Sequence, residues 1–379
     1  MGYNWGMKTK NTVLIFGAGA SYDSGFNGPE YMLPLSTNLF DDQTPVVKAA
    51  LADFTSLVGQ LPAIQREIKN KFSGNVEAFL DALIKTGKNP SLVRDIFWFI
   101  QSLMLKQGLP TGGNYRKFMH RLWEIEGSNL HLSSIVNFNY DQMLDEVIKP
   151  RLGLSTNMME YLQVDPKYIK PHGSADWYEL IHIEGKSFNH LGNQDEARKN
   201  KINASQKILL SRAIEPDRVL VGDGAGIHQL LGNMHDSAIP VPAIVLPVIT
   251  KVIASDMFPA LAEALEHSID EADHIILVGY RGSDLDFRGC IKKRTESERS
   301  LVVSVIGVND ASAVLQDVFN IAPDRLSVGF CFTGGFSRAV QYLRWGRCRI
   351  SKGLLKIHDY KPDPKDCLEV ESEVVVIAE

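Results

Sequence analysis

The sequence is poor in cysteine and has no long hydrophobic run. Its four cysteines, Cys290, Cys331, Cys348 and Cys367, are widely spaced and form no Cys-x-x-Cys pair, so neither a zinc ribbon nor a disulfide framework is predicted. No apolar run reaches the roughly 18 residues that a membrane-spanning helix needs, and residues 1–11 lack the apolar core of a signal peptide. We therefore expect reduced thiols, no metal site and a cytoplasmic protein.

An excess of basic residues is also lacking. The chain has 40 Lys and Arg against 45 Asp and Glu, a formal net charge of −5, which gives no positive field for a phosphate backbone. We therefore expect no direct contact with nucleic acid and no membrane partner. Hydrophobic residues fill 44% of the 379 positions, enough for one large α/β domain with insertions or for two domains of ordinary size.

A glycine turn after an apolar run is the most informative stretch that the sequence does contain. The run over 12–16 predicts a strand buried on both faces. The Gly-x-Gly that follows lets backbone amides approach a ligand that a Cβ atom would keep away. Taken alone, the pattern also serves any tight strand-to-helix turn, and Tyr22 stands where the third glycine of the dinucleotide fingerprint would fall. The turn residues expected at a ligand are Gly17, Ala18, Gly19, Ala20 and Ser21.

Further strands and helices alternate along the chain. Short runs rich in β-branched residues predict strands at 135–138, 243–246, 274–278 and 301–306, and helical patterns lie between several of them. This alternation predicts a doubly wound, Rossmann-like parallel sheet in an α/β fold, with the ligand at the carboxyl ends of the strands.

Two insertions interrupt that alternation. Helical periodicity predicts a helical insertion over about 44–128, in which Asn75 is a helix N-cap and Asp81 pairs with Lys85. Residues 183–235 are polar and lack clear periodicity, so they form a second insertion of unassigned structure.

Polar clusters follow three of the predicted strands. They are Asn137–Asp141, Lys170–Trp177 and Gly279–Asp286. Each has a plain structural alternative, because an Asn or Asp after a strand commonly caps the next helix, a single histidine is commonly structural, and glycines commonly make turns. At the carboxyl edge of a doubly wound sheet, the same residues would face a ligand.

Taken together and in this order, the motifs resemble the sirtuin family, and more closely its bacterial sirtuin-like branch that consumes NAD in antiphage defence. The resemblance spans roughly residues 12–310. The matching residues are Gly17–Ser21 with Gly25 for the phosphate loop, Asn139-Tyr140-Asp141 for the Asn-x-Asp motif, His172-Gly173 for the His-Gly motif, Leu246-Pro247 through Lys251, Gly279-Tyr280 with Ser283-Asp284, and Asn309.

The resemblance implies a sirtuin-like NAD-binding domain over 12–345, between an N-terminal segment over 1–11 and a C-terminal tail over 346–379. The tail would add a strand or contact a partner. The implied activity is NAD glycohydrolysis, which yields nicotinamide and ADP-ribose, with NAD as substrate and no further cofactor. The apolar residues of the tail, Leu368, Val370 and 374–377, predict contact with a second copy of the chain, and the resemblance implies a HerA-type ATPase as a further partner.

The resemblance also implies a role for each site residue. Asn139 would position water and the ribose, Asp141 would hold the nicotinamide amide, and His172 would accept a proton. Three further matching residues, Gly279, Ser283 and Asn309, would contact NAD together with residues 17–21.

Departures from the family bear on the alternatives. The paired Cys-x-x-Cys module of the protein deacylases is missing, Phe26–Pro29 replaces their Asp-Phe-Arg, and Arg281 stands where many relatives have serine. Deacylation is therefore disfavoured. A module that senses NAD or ADP-ribose without cleaving it would need the phosphate loop but not both Asn139 and His172, so the presence of both favours an enzyme.

Overall fold

The computed structural model describes residues 10–24, 33–105, 113–125, 130–154, 157–182, 214, 218–222, 238–246, 257–282, 284–297, 299–307, 314, 326–332, 335–344, 348–351 and 354–357. The predictions made for Gly25, Pro247, Lys251, Ser283 and Asn309 lie outside these residues. So do those for most of the polar insertion and for the end of the tail.

The described residues form an α/β fold. The strands are β1 (Lys10–Phe16), β2 (Leu130–Asn137), β3 (Lys167–Ile169), β4 (Gly173–His182), β5 (Val219–Val221), β6 (Ala238–Ile244), β7 (His274–Val278), β8 (Leu301–Ile306), β9 (Leu326–Phe332), β10 (Cys348–Ser351) and β11 (Leu354–Ile357). The helices are α1 (Ala18–Tyr22), α2 (Pro45–Leu51), α3 (Thr55–Lys71), α4 (Val76–Thr86), α5 (Pro90–Leu105), α6 (Asn114–Ile125), α7 (Asp145–Leu152), α8 (Met158–Gln163), α9 (Pro259–Asp270), α10 (Leu285–Glu296) and α11 (Gly335–Arg344), with a 3₁₀ turn at Ser36–Asn38.

The central sheet has the strand order β3-β2-β1-β7-β8-β9, and all its neighbouring strands are parallel. The predicted doubly wound parallel sheet is therefore confirmed. The order reverses between β1 and β7. Phe16 at the end of β1 pairs with Asn137 of β2 and Val278 of β7, and Val278 pairs with Ile306 of β8. Four strands thus end at one level, and the loops that follow them lie side by side.

A second, antiparallel sheet corrects the prediction for residues 243–246, which we assigned to the parallel sheet. Residues 243 and 244 end β6, which pairs antiparallel with β4. Ala243 and Val245 belong to the core of the central sheet, whereas Ile244 and Leu246 belong to a second core under the helices. A strand buried between two cores is apolar on both faces, and its sequence therefore resembles that of a strand in a parallel sheet.

The helices before β2 divide between those two cores. Helices α2 to α5 pack together, with α5 against β4 and β6, while α6 packs its Tyr115 and Phe118 against Phe16 of β1. The predicted cap and ion pair in α4 are confirmed, since Asn75 Oδ1 accepts a hydrogen bond from the Ala78 amide at 3.0 Å and Lys85 Nζ lies 2.7 Å from Asp81 Oδ2. Within the described part of the chain, no helix is both long and apolar enough to cross a membrane.

Candidate functional site

The turns after β1 and β7 meet where the strand order reverses. The Gly17 amide donates to the Val278 carbonyl and the Gly19 amide to the Gly279 carbonyl, both at 3.0 Å. Gly279 has a φ of 59°, and a Cβ there would lie 2.1 Å from the Ala20 nitrogen. These glycines therefore let two turns pack backbone to backbone. We predicted that the amides of Gly17 and Gly19 face a ligand, but both donate to carbonyls of the protein.

Asn139, directly beyond β2, has a fixed amide orientation. Its Nδ2 donates to the Gly17 carbonyl at 3.0 Å and to Ser21 Oγ at 3.0 Å, with Tyr115 OH at 3.3 Å. Because a carbonyl only accepts, the NH₂ group must face Gly17. The Asn139 side-chain oxygen is thereby turned away from this contact, and it forms no hydrogen bond with any described residue. It is the acceptor that the residue can present to a ligand.

Ser21 joins three elements behind Asn139. Its hydroxyl donates to Asp141 Oδ2 at 2.7 Å and lies 2.9 Å from Tyr115 OH. Burial and the nearby Asp141 raise the pKa of Tyr115 well above its usual value, so this phenol stays protonated and donates to Ser21. Ser21 is 2% exposed. Its hydroxyl therefore fixes the loop after β2 rather than facing solvent.

Asp141 is a buried carboxyl with both oxygens in use. Oδ2 accepts from Ser21, and Oδ1 accepts from the Met143 amide at 3.0 Å. Burial raises the pKa of Asp141, while the ammonium of Lys170 and the hydrogen bond from Ser21 oppose that rise. The arrangement suits a residue that orients Ser21.

Lys170 is a buried residue that connects the loops after β2 and β3. Its ammonium donates to the Asp141 carbonyl at 3.0 Å, to Asp145 Oδ2 at 2.6 Å and to Ser174 Oγ at 2.8 Å. Lys170 and Asp145 both have 0% side-chain exposure. A buried ammonium needs a partner for each of its three protons, and this site supplies all three.

His172 lies against an acidic partner that comes from another strand loop. Its Nε2 is 2.7 Å from Asp284 Oδ2, and the two residues are 3% and 1% exposed. Asp284 is also the N-cap of α10, since its Oδ1 accepts from the Phe287 amide at 3.0 Å. The pair thus joins the loop after β3 to the loop after β7.

Aromatic rings enclose the imidazole of His172. The ring of Phe138 lies 5.1 Å from it, edge to face, and that of Tyr140 lies 6.1 Å away. These two residues flank Asn139 in sequence, so the Asn139 loop and His172 share one site. Tyr280 stacks on Phe138 at 4.7 Å. The imidazole is therefore held by packing as well as by its hydrogen bond.

The structure brings some of the predicted site residues together. Gly17, Ser21, Asn139 and Asp141 share one network, Gly19 contacts Gly279, Ala20 is buried beside Gly279 and Ala18 is exposed. Asp284 and Lys170 lay within the predicted polar clusters but were given no role, and Tyr115 was not predicted at the site. Asp284 also carried a signal as an N-cap before Leu285, whereas Tyr115 fell on an apolar helical stripe.

In the described residues, no group of three or more His, Cys, Asp or Glu side chains is placed to hold a metal ion.

Comparisons with known proteins give only distant likenesses. No protein-family model matches the sequence, and no curated protein matches it.

Similar solved structures include a mutant Sir2 homologue in complex with ADP-ribose, at 12% identity and a TM-score of 0.39, covering 91% of this chain and 98% of that one. A sirtuin studied for substrate affinity has 12% identity and a TM-score of 0.40, covering 89% and 95%. A Sir2 homologue bound to NAD has 12% identity and a TM-score of 0.37, covering 90% and 91%. The scores are low, and the assignment of the doubly wound fold rests on the strand order and register of the sheet.

Proposed function

We propose that this chain is an NAD glycohydrolase, which cleaves the bond between nicotinamide and ribose to release nicotinamide and ADP-ribose. The observation that carries the proposal is the site at the carboxyl edge of the sheet. There the side-chain acceptor of Asn139 and the His172–Asp284 pair lie beside the reversal of strand order. Doubly wound folds bind nucleotides at that position.

The reaction needs little covalent chemistry from the protein. The bond from ribose C1′ to the pyridinium nitrogen breaks, and its electron pair leaves on nicotinamide, which becomes neutral. Water forms the new bond to C1′, and the proton that it loses passes to a base. Since the transition state resembles an oxocarbenium ion, groups that orient the ribose and the water suffice. The step as written uses no metal.

Asn139 and His172 would act on the water and the ribose directly. The NH₂ group of Asn139 is held by Gly17 and Ser21, so its oxygen would accept a hydrogen bond from the water or from a ribose hydroxyl. His172 would take the proton as general base, a role that contributes about 10² to 10⁴ in rate. Each residue thus has a distinct task.

Asp141 would act through Ser21. The resemblance implied a contact with the nicotinamide amide, but both oxygens of Asp141 already accept internal hydrogen bonds. We therefore assign it the positioning of Ser21, which in turn orients Asn139. This is an indirect role in which Asp141 touches neither water nor ribose.

The glycine turns would border the dinucleotide. Ala18 is the exposed residue of the first turn, and its backbone is the part that the pyrophosphate would approach. Gly17, Gly19 and Gly279 would keep the two turns packed beneath it. Ala20, Ser283 and Asn309 would also contact NAD.

Product analysis separates this proposal from its two alternatives. The purified chain is incubated with NAD, alone and with an acetylated peptide, and the products are resolved by chromatography. We expect equal amounts of nicotinamide and ADP-ribose without peptide. Binding of NAD without products would identify a sensing module, and nicotinamide released only with peptide would identify a deacylase. Either result would overturn the proposal.

We further propose, from the resemblance of the sequence motifs, that the activity depletes NAD in bacterial antiviral defence. Constant loss of NAD would harm the cell that makes the enzyme, so we expect a trigger. The proposed partners are a second copy of the chain and a HerA-type ATPase, and the proposed compartment is the cytoplasm. Co-purification of the ATPase with the tagged chain, and the mass of the chain by light scattering, test these partners.

A further inference from the structure

We propose that Asp284 is a positioning residue that fixes the tautomer of His172 and so makes this histidine a base toward the substrate. The inference rests on the proposed hydrolase function. It assigns a role to a residue that lies in the predicted polar cluster 279–286 but was given none there.

The carboxylate of Asp284 is held at both oxygens. Oδ1 accepts from the Phe287 amide at 3.0 Å, and Oδ2 lies 2.7 Å from His172 Nε2. The first contact anchors the carboxylate to the start of α10, so the second oxygen is aimed at the imidazole by the backbone of a helix. With 3% exposure of His172 and 1% of Asp284, water competes little for this contact.

A carboxylate can only accept hydrogen bonds. The proton on the neutral ring of His172 must therefore sit on Nε2, which donates to Asp284, and Nδ1 is the acceptor of the ring. Without the carboxylate, Nε2 would lose the acceptor that favours a proton there, and more of the rings could carry the proton on Nδ1, the nitrogen that has to accept one.

Three ionisable groups near the His172–Asp284 pair keep one charge state over the pH range of an ordinary assay. Burial raises the pKa of Tyr140 and that of Tyr280 well above the usual value, and it raises the pKa of Cys290 to about 11. All three stay neutral near pH 7. A pH profile recorded near neutrality is therefore free of ionisation of these three groups.

Two variants separate the cap from the contact with the imidazole. In Asp284→Asn, the amide oxygen can take over the cap, which turns the NH₂ group toward His172. That donor forces Nε2 to accept and moves the proton to Nδ1. In Asp284→Ser, the hydroxyl can still cap α10 but is too short to reach the ring, so residue 284 no longer selects the tautomer. Asp284→Asn, although asparagine has nearly the shape of aspartate, should therefore be less active than Asp284→Ser.

Activity of the full chain is measured as nicotinamide release over a range of NAD concentrations and pH, with Asp286→Asn as matched control. The control removes the same charge from the first turn of the same helix. We expect Asp284→Asn to lose on the order of 10² to 10⁴ in kcat with KM within a few fold, Asp284→Ser to lose less, and the control to lose little. In Asp284→Ser the acid limb of kcat/KM should move to lower pH, because the negative charge that favours the protonated ring is gone.

Imidazole ¹⁵N NMR tests the same inference without activity, with the His172 signals identified by their absence in His172→Gln. We expect the proton on Nε2 in the wild type and on Nδ1 in Asp284→Asn. If the wild-type chain fails to hydrolyse NAD, the proposed function falls, and the tautomers then decide the inference. The same tautomer in both proteins, or a kcat of Asp284→Asn equal to that of the Asp286→Asn control, would overturn the role given to Asp284.

Discussion

Buried polar side chains serve different purposes at the two ends of the central sheet. At the amino end, His274 of β7 lies 2.9 Å from Ser304 of β8, a pair between neighbouring strands. At the carboxyl end, side chains from the loops after four strands hold one another, through Ser21, Asn139 and Asp284 among others. A pair inside a sheet satisfies two polar groups and adds stability. A network across loops also fixes groups that can act on a ligand.

The largest effect on folding is expected from the buried ammonium beneath the carboxyl end. Lys170→Met leaves the fully buried carboxylate of Asp145 without its partner, which should lower the free energy of unfolding by about 3 to 5 kcal/mol. Chemical denaturation measures the loss. The matched control is Lys85→Met, whose exposed pair with Asp81 should cost at most about 1 kcal/mol. Equal losses in the two variants would contradict the role of Lys170.

A smaller effect on stability, which depends on pH, is expected from His274 at the amino end of the central sheet. Burial, together with the charge of Lys10, lowers the pKa of His274 to about 3, well below the value of about 6.5 in the unfolded chain. Between about pH 3 and pH 6.5, His274 is therefore protonated in the unfolded chain and neutral in the folded protein. The stability contributed by neutral His274 is therefore complete above pH 6.5 and is lost as the pH falls toward 3.

A variant without an ionisable side chain at position 274 isolates the contribution of His274 to the pH dependence of stability. In His274→Gln, the free energy of unfolding should fall less steeply with acid than in the wild type, by about 1.4 kcal/mol for each pH unit below 6.5. Denaturation curves at pH 7, 6 and 5 give the two slopes. Parallel slopes would mean that His274 is not held neutral in the fold.

The smallest effect is expected far from both ends of the sheet. Asn75 caps α4, which packs in the second hydrophobic core, and Asn75→Ala should cost about 1 kcal/mol of stability. Nicotinamide release per folded molecule should stay unchanged, because among the described residues no hydrogen bond joins α4 to the network at the carboxyl edge. A loss of turnover in folded Asn75→Ala would show that the helical segment influences the site.

Local patterns in the sequence predicted the parts of the fold that local physics decides. The apolar runs of β1, β7 and β8, the glycine turn and the Asn75 cap follow from periodicity and capping rules. The partner of a strand is a tertiary property, and for that reason residues 243–246 were assigned to the wrong sheet.

The site divides in the same way. Asn139 and His172 belong to motifs that a sequence displays. Tyr115 has the spacing of a core residue, and only the packing of α6 on β1 brings its hydroxyl to Ser21. Asp284 reads as a helix cap, and its second oxygen acquires a role only when the loops after β3 and β7 meet. Contacts between distant loops carry no local pattern in a single sequence.

Nicotinamide release at saturating NAD, measured for His172→Ala, Asn139→Ala and the double variant, tests the central claim most directly. Turnover is divided by the folded fraction obtained from thermal melting. Each single variant should lose on the order of 10² to 10⁴ in kcat with NAD affinity within a few fold. The double variant should be hardly worse than the poorer single one, because a base has little to activate once the water is no longer held. Full turnover in both well-folded single variants would contradict the account.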